Sequence, residues 1–488
     1  MKKRLMILII CMIIITNCTS VFSEHSLRTD EDFFKRAIES INEDGLSLLQ
    51  MKMNVFEHLH EGFFELSETV KYYYYKEPDW KKVKDYISNK LQAFASIDPE
   101  KENRIINLIK AEEIQNSFGN LKKLPEEEQD LFRQWDSIMN QMIAIEMLCE
   151  SSDLNDLIQQ ACAGLLEGLE DPRTYYLPPE EWEFLYGNSP STGGIGLDIS
   201  MDYESGQCIV ARAINGGPAQ KAGVHRGDML LKVDNLSIIP ETLNKAVSMM
   251  RGEPGTDLVI TVSRNGEELQ FELKRENIEK HSVEFNLLDN KIGLIKVYDL
   301  GGNADKLFRD AFAALLSNGV KALVIDLRDS TGGWIDAGVN IADLFMESGD
   351  FCYLVYRGNE EDHAYKTTNG SIDIPMTVLI NENTASASEM LAAALQERAE
   401  AKLIGVNTKG YNTVQAVMPL FGDESGYQIT IAEVFTPDGK SFAGKGISPD
   451  VVVPLQEGDV GEYAFADLKH DYQLKKAVDI ISEIMDSK

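Results

Sequence analysis

The chain has 488 residues, 43% of them hydrophobic and 26% charged, with 47 basic against 79 acidic residues and a formal charge of −32. That length allows about two to four domains, each with its own core. So acidic a surface repels nucleic acid and anionic lipid, which argues against either as a partner.

The chain opens with MKKRLMILIICMIIITNC, a basic start followed by an apolar run from Leu5 to Ile15. The run is shorter than the ~20 residues of a membrane span and has the make-up of a secretory leader. It predicts export, to the periplasm or cell envelope. Two exits are open. The small residues Val21 and Ser23 in SVFSE fit cleavage after Ser23, whereas ITNC resembles a relaxed lipobox that would place a lipid on Cys18, with Asn17 departing from that pattern. Removing residues 1–23 takes away Lys2, Lys3 and Arg4 and no acid, so the rest is more acidic still. Beyond the leader, Cys149, Cys162, Cys208 and Cys352 form no Cys-x-x-Cys pair and sit in apolar surroundings. Buried thiols are expected, rather than bridges or metal ligands.

Residues 24–150 predict a helical region to which no role attaches. TDEDFFKRAIESI carries Thr29 three residues before Asp32, a capping signal. WKKVKDYISNKLQAF places Trp80, Val83, Ile87, Leu91 and Phe94 on one helical face. The tyrosines of KYYYYKEPDW are expected to pack between helices. His58 and His60 would point ~200° apart on a helix and cannot share a metal.

GNSPSTGG (187–194) is a linker. From Gly194 to about Glu276 short alternating strands and turns follow, with one helix entered at Pro218 and closed at Gly223. Arg226-Gly227-Asp228 is read as turn chemistry. From Lys291 strands such as KALVIDLRD alternate with helices such as NADKLFRDAFAALLSNG, the pattern of an α/β layer structure. The whole predicts an α+β multidomain protein.

Several catalytic signatures are missing. There is no Gly-x-Ser-x-Gly elbow. Gly439-Lys440-Ser441 lacks the glycine of a phosphate loop, with Val434 in its place. No histidine pair has the spacing of a zinc helix. No metal or cofactor is implied. Two glycine- and serine-bearing turns remain. Gly332 and Gly333, in DLRDSTGGWID, follow a buried strand and precede a helix, where free backbone N–H groups bind an anion or simply make a tight turn. Ser386, in NENTASASEML, opens a helix. It fits an exposed nucleophile in a positive dipole, and with Glu389 it equally fits a capping box. From these residues alone both readings stand.

In order along the chain, GGIGLDI, GGPAQKAGVHRGDMLLKVDN, DLRDSTGGWIDAGVNIADLF, VLINENTASASEMLAAALQE, GVNTKGYNTVQ and FTPDGKSFAGKGISPDVVV resemble the motifs of carboxyl-terminal processing (tail-specific) serine peptidases. The likeness covers about 155–485. It implies an N-terminal segment of the peptidase fold at 151–186, a PDZ domain at 190–278 and an α/β, crotonase-like peptidase domain at 279–488. It also implies that protein or peptide C-terminal tails are the partners. A loop of Gly193, Gly194, Ile195, Gly196 and Leu197 would hold a terminal carboxylate by backbone N–H groups. Ser386 matches the family nucleophile, and Gly332 or Gly333 with the Ala387 N–H would form the oxyanion hole. Gln415 matches a glutamine that supports the catalytic lysine.

One position departs. The family's stretch reads Thr-Phe-Gly-Lys-Gly-x-Val-Gln. Thr408, Gly410, Val414 and Gln415 align with it, so Lys409 falls on the phenylalanine, Tyr411 on the lysine and Asn412 on the next glycine. A serine hydroxyl is inert until a base takes its proton, and a phenol with a pKa near ~10 is a poor base. In an extended segment Lys409 and Tyr411 point the same way about 7 Å apart, which makes Lys409 one candidate substitute base, beside another base or none. Two functions follow: an exported serine endopeptidase acting on C-terminal regions, or a catalytically silent PDZ scaffold.

Overall fold

A computed structural model describes residues 62–96, 126–148, 154–186 and, with short interruptions, 193–487, together with a few positions between 55 and 107. The leader with Cys18, the TDEDFFKRAIESI segment, His60, Cys149 and most of the GNSPSTGG linker lie outside the described residues. The described residues fall into two compact units. One ends at Tyr176; the other holds residues 73–77 and everything from Leu177 onward.

The first unit is helical: α1 (Phe63–Tyr73), α2 (Trp80–Ala95), α3 (Glu126–Leu148) and α4 (Leu154–Glu167). Asp79 starts α2 by accepting the N–H groups of Lys81 and Lys82, both at 3.2 Å. Val83, Ile87 and Leu91 are buried at helical spacing, whereas Phe94, in the last turn, is largely exposed. The fully buried Trp135 of α3 meets Phe63 edge-on, ring centres 4.8 Å apart. The tyrosine run behaves differently from expectation. Helix α1 turns Phe63, Leu66, Ser67 and Val70 inward, so of the first three tyrosines Tyr74 is buried while Tyr72 and Tyr73 face solvent.

In the second unit β1 (Tyr175–Leu177) spans the junction and α5 (Pro179–Tyr186) follows. A β-rich domain then begins. Strands β2 (Leu197–Asp202), β3 (Gln207–Ala213), β4 (Met229–Val233), β6 (Asp257–Arg264) and β7 (Glu267–Lys274) form an antiparallel sheet in the order β2-β3-β4-β6-β7. The short β5 (Leu236–Ser237) pairs with β4. Alternation does the work: Val210, Leu230, Val233, Ile260 and Val262 point into one core. Helix α6 (Pro218–Ala222) opens on its proline and ends on Gly223, and α7 (Leu243–Met250) covers the sheet. Strand β2 is an edge of that sheet.

The last domain carries β8 (Val283–Leu287), β9 (Ile292–Val297), β10 (Ala322–Asp326), β13 (Met376–Ile380), β14 (Lys402–Gly405) and β17 (Val451–Val452), in the order β17-β14-β13-β10-β9-β8. All neighbours are parallel except β8 on β9. Such strands are buried on both faces, and every residue of β10 and β13 is buried. Helices α8 (Ala304–Ser317), α9 (Ile335–Ala342) and α10 (Ala387–Arg398) pack Phe308, Ile341 and Leu391 against Ile325 and Val378 on one face. On the other, α11 (Tyr472–Ser487) sets Leu474, Ala477 and Ile481 against Val324 and Leu379. A second, antiparallel sheet holds β15 (Thr413–Leu420), β16 (Ser425–Phe435), β11 (Gly349–Tyr356) and β12 (His363–Thr367) in that order.

Cys162, Cys208 and Cys352 are free and buried. Burial pushes the thiols of Cys208 and Cys352 up to about 12.

The start of α11 is fixed by a buried charge cluster. Arg328, just past β10, donates to Asp326 at 2.9 and 2.7 Å, to Asp471 at 3.0 and 2.6 Å, and to Gln473 at 3.1 Å. Burial penalises the guanidinium, and the two carboxylates outweigh that and hold it charged. Asp471→Ala would leave the cation half-paired. It is expected to cost about 3–5 kcal/mol in chemical denaturation, whereas Asp438→Ala, at an exposed pair with Arg398, should leave the midpoint unmoved.

Candidate active site

Parallel strands deliver their following loops to one edge of the sheet. Here four such loops meet: those after β9 (Leu300), β10 (Gly332, Gly333), β13 (Ser386) and β14 (Lys409, Tyr411). Backbone bonds join them. Ala385 N–H donates to Ser330 O at 3.0 Å, Lys409 N–H to Thr384 O at 3.0 Å, and Leu300 N–H to Gly332 O at 2.7 Å. The Thr384 hydroxyl adds a bond to Leu327 O at 2.8 Å.

Gly332 lies against Ser386. A Cβ on Gly332 would stand 2.6 Å from Ala385 O, 2.9 Å from Ala387 N and 2.9 Å from Ser386 Cβ. With φ +82 as well, the position admits only glycine. Gly332, the serine and the Ala387 N–H therefore share one small space, while a Cβ on Gly333 would meet Leu300 and Gly301. The Ala387 N–H is in the first turn of α10, where it has no intrahelical partner.

Ser386 precedes α10 with φ 55 and ψ −127. A helix cap sits in the extended region; this serine does not. Such a conformation costs about 1–3 kcal/mol and persists only where its surroundings hold it. Glu389 supplies one restraint, its carboxylate accepting the Ser386 N–H at 2.9 Å. So Ser386 occupies the cap position of the capping-box reading with a backbone no ordinary cap adopts.

Lys409 and Tyr411 both reach the edge strand β2. Lys409 Nζ donates to Ser200 Oγ at 2.7 Å, and the Tyr411 hydroxyl donates to Met201 O at 2.7 Å. The Lys409 ammonium lies 5.1 Å from the Tyr411 ring centre. Among the described residues no hydrogen bond joins Ser386 to either side chain. Gln415 differs from its implied role beside the lysine: its amide donates to Thr413 Oγ1 at 2.9 Å and Thr430 Oγ1 at 3.3 Å. It sits at a register shift of β15 against β16 that pairs Gln415 with Thr430, which sets its amide on its strand neighbours.

The proposed carboxylate loop is split in use. Gly194 N–H is already bonded to Glu276 O at 2.8 Å, and Gly193 O accepts from Gly252 at 3.0 Å, so these two glycines tie the loop down. Among the described residues no backbone carbonyl accepts from the N–H groups of Ile195 or Gly196. Leu197 begins β2.

Three residues gained meaning only in three dimensions. Ser200 receives the lysine. Arg226, read as turn chemistry, does stand in a turn closed by Asp228 on His225 N–H (2.9 Å), yet its guanidinium donates to Asp329 at 2.8 Å and to Glu382 at 3.3 Å. Glu389, read as half of a cap, collects four donors. Asp329 also accepts from Asn381 and Asn383 at 2.8 and 2.9 Å, so Arg226 bears on the loop that leads to Ser386. Burial alone would raise the Asp329 pKa; Arg226, Lys296 and the two amides override it and hold the group below its ordinary 3.8. No signal in the local sequence marks Arg226 or Ser200, since their partners lie 103 and 209 residues away. Among the described residues no cluster of acids, histidines and cysteines has the makings of a metal site.

Two outcomes follow from this geometry. Gly332→Ala should lose about 1–3 kcal/mol of stability by overpacking, measured by thermal unfolding. Gly302→Ala, also at positive φ but facing open space, separates the clash from backbone strain. Asp329, with its pKa lowered on folding, contributes stability that is complete above about pH 4 and is lost as the pH falls through its lower folded value. Asp329→Asn should remove that acid-sensitive component from a pH series of denaturation midpoints.

Residues 291–453 match the profile of Peptidase family S41, and residues 209–264 match that of a PDZ domain. A probable CtpA-like serine protease of Staphylococcus aureus (strain COL) is 32% identical over 308 residues, which is 62% of this chain and 61% of that protein. The carboxy-terminal processing protease CtpA of Bacillus subtilis (strain 168) is 30% identical over 310 residues, 63% of this chain and 66% of that one. The chain thus spans somewhat under two thirds of the length of these relatives. Among solved structures, a photosystem II D1 C-terminal processing protease superposes with a TM-score of 0.55 at 27% identity, covering 67% of this chain and 91% of that one. Together with the helical N-terminal region and the sheet topology, these likenesses show a chain that carries a PDZ domain and a Peptidase family S41 domain and is similar to carboxy-terminal processing proteases.

Proposed function

We propose that this chain is a serine endopeptidase that cleaves exported proteins near their C-termini, with Ser386 as nucleophile. The observation that carries the reading is the contact of Gly332 with Ser386 and Ala387. In this scheme Ser386 Oγ attacks the scissile carbonyl and passes its proton to an amine. The oxyanion faces the N–H groups of Ala387 and the Gly332–Gly333 segment. The protonated amine then returns the proton to the leaving nitrogen, and water releases the acyl group by the same route. Lys409 is the amine assigned to this work once it leaves Ser200, since desolvation lowers a lysine's proton affinity towards neutrality. The substrate tail adds to the β2 edge, with its terminal carboxylate at the Ile195 and Gly196 N–H groups. The leader supports export; fatty-acid labelling of Cys18 set against a mature N-terminus at Glu24 separates its two exits.

A second reading, a PDZ scaffold without turnover, draws on one specific observation. The family's lysine position holds Tyr411, and the nearby Lys409 is engaged with Ser200.

Hydrolysis of an unstructured tail peptide separates the two. Ser386→Ala should abolish it, and Lys409→Ala should cut it by about 10²–10⁴-fold. A silent Lys409→Ala combined with a gain in Tyr411→Lys would move the base to position 411. Absence of Ser386-dependent turnover in wild type and in Tyr411→Lys, with tail binding intact, would leave the scaffold reading.

A further inference from the structure

Glu389 lies in the first turn of α10 with its side chain wholly buried. Each of its oxygens accepts two hydrogen bonds. Oε2 takes the N–H groups of Ser386 at 2.9 Å and Tyr411 at 2.8 Å; Oε1 takes the Gly410 N–H at 2.7 Å and the Thr408 hydroxyl at 2.5 Å. A capping box needs only the first of these bonds. The other three come from a segment 19 to 22 residues downstream, and that segment carries Lys409.

The receiving backbone is shaped for this contact. Gly410 has φ +88, and a Cβ there would stand 2.8 Å from Gly444 N and 2.9 Å from Gly446 N. The Thr408 hydroxyl, besides donating to Glu389, accepts the Ile447 N–H at 2.6 Å. None of the four bonded partners is a cation, so the buried carboxylate is met by dipoles alone. Burial raises its proton affinity, and the four donors pull the other way. A buried acid without a counter-ion is costly to keep, and packing alone does not call for one here.

We propose that Glu389 is a positioning residue that clamps two pieces of the reaction to one carboxylate. On one side it holds the strained backbone of the nucleophile, and on the other the 408–411 segment that bears the base. The separation of hydroxyl and amine is then set by a single rigid group on the helix, and not by the flexible lysine stem. The word base rests on the peptidase reading above; the clamp itself does not.

Glu389→Gln keeps the shape but turns one acceptor into a donor facing N–H or O–H groups. In hydrogen exchange the amides of Gly410 and Tyr411 should open about tenfold to a hundredfold faster, with the rest of α10 unchanged. Thr408→Val, which removes a single bond to Oε1, should give a smaller change at the same amides and serves if the glutamine variant does not fold. In whichever of wild type and Tyr411→Lys turns over a tail peptide, Glu389→Gln should lower kcat by about 10²-fold and leave KM within about twofold. Unchanged exchange at 410 and 411 overturns the clamp, as does faster exchange with kcat unaltered. A general loss of protection across α10 with kcat and KM falling together marks a purely structural role and also overturns it. If neither enzyme shows Ser386-dependent turnover, the peptidase reading fails, and the exchange result alone decides the clamp.

Discussion

The contact between Gly332 and the Ala385–Ala387 backbone governs the candidate site. It exists because β10 and β13 are parallel neighbours with Asp326 opposite Leu379, so the loops that follow them leave the sheet side by side. Side-chain atoms at position 332 would push those loops apart. With glycine there, the chain brings a strained serine, a free helix-terminal N–H and a turn of open backbone into one pocket of space. Hydrophobic burial on both faces of the sheet holds the strands in register, and that rigidity sustains the unfavourable dihedrals of Ser386.

Around this core the β-rich domain makes two kinds of contact, both with loops of the site. Arg226 reaches Asp329 and, through Asn381 and Asn383, the approach to Ser386. Lys409 and Tyr411 reach back to β2. The first contact is a largely buried ion pair whose breakage would strand a charge. The second uses one side-chain hydroxyl and one strand carbonyl, which water or another donor replaces at modest cost.

Tyr411, at the position where the resemblance implies a lysine, is tied in at both ends. Its backbone N–H still bonds Glu389, and its ring passes beside the Lys409 ammonium to end on Met201. Gln415 shows the opposite case: an aligned residue whose partners are local threonines.

Much of the architecture was legible in the linear chain. Period-two alternation marked the β-rich domain, and continuous apolar runs such as KALVIDLRD marked doubly covered parallel strands. Proline and glycine bounded α6. Turn glycines before a helix and a serine at a helix start singled out the two halves of the site, because local backbone demands leave local residue signatures. The rest needed the third dimension. The φ of Ser386 and what Gly332 touches are encoded by no neighbouring residue. The partners of Arg226, Lys409 and Glu389 are set by which strands lie adjacent in the sheet and which loops those strands deliver. Sequence by itself determined the elements and the residues capable of chemistry. Only the tertiary structure decided which of them meet, because that depends on strand order and long-range packing.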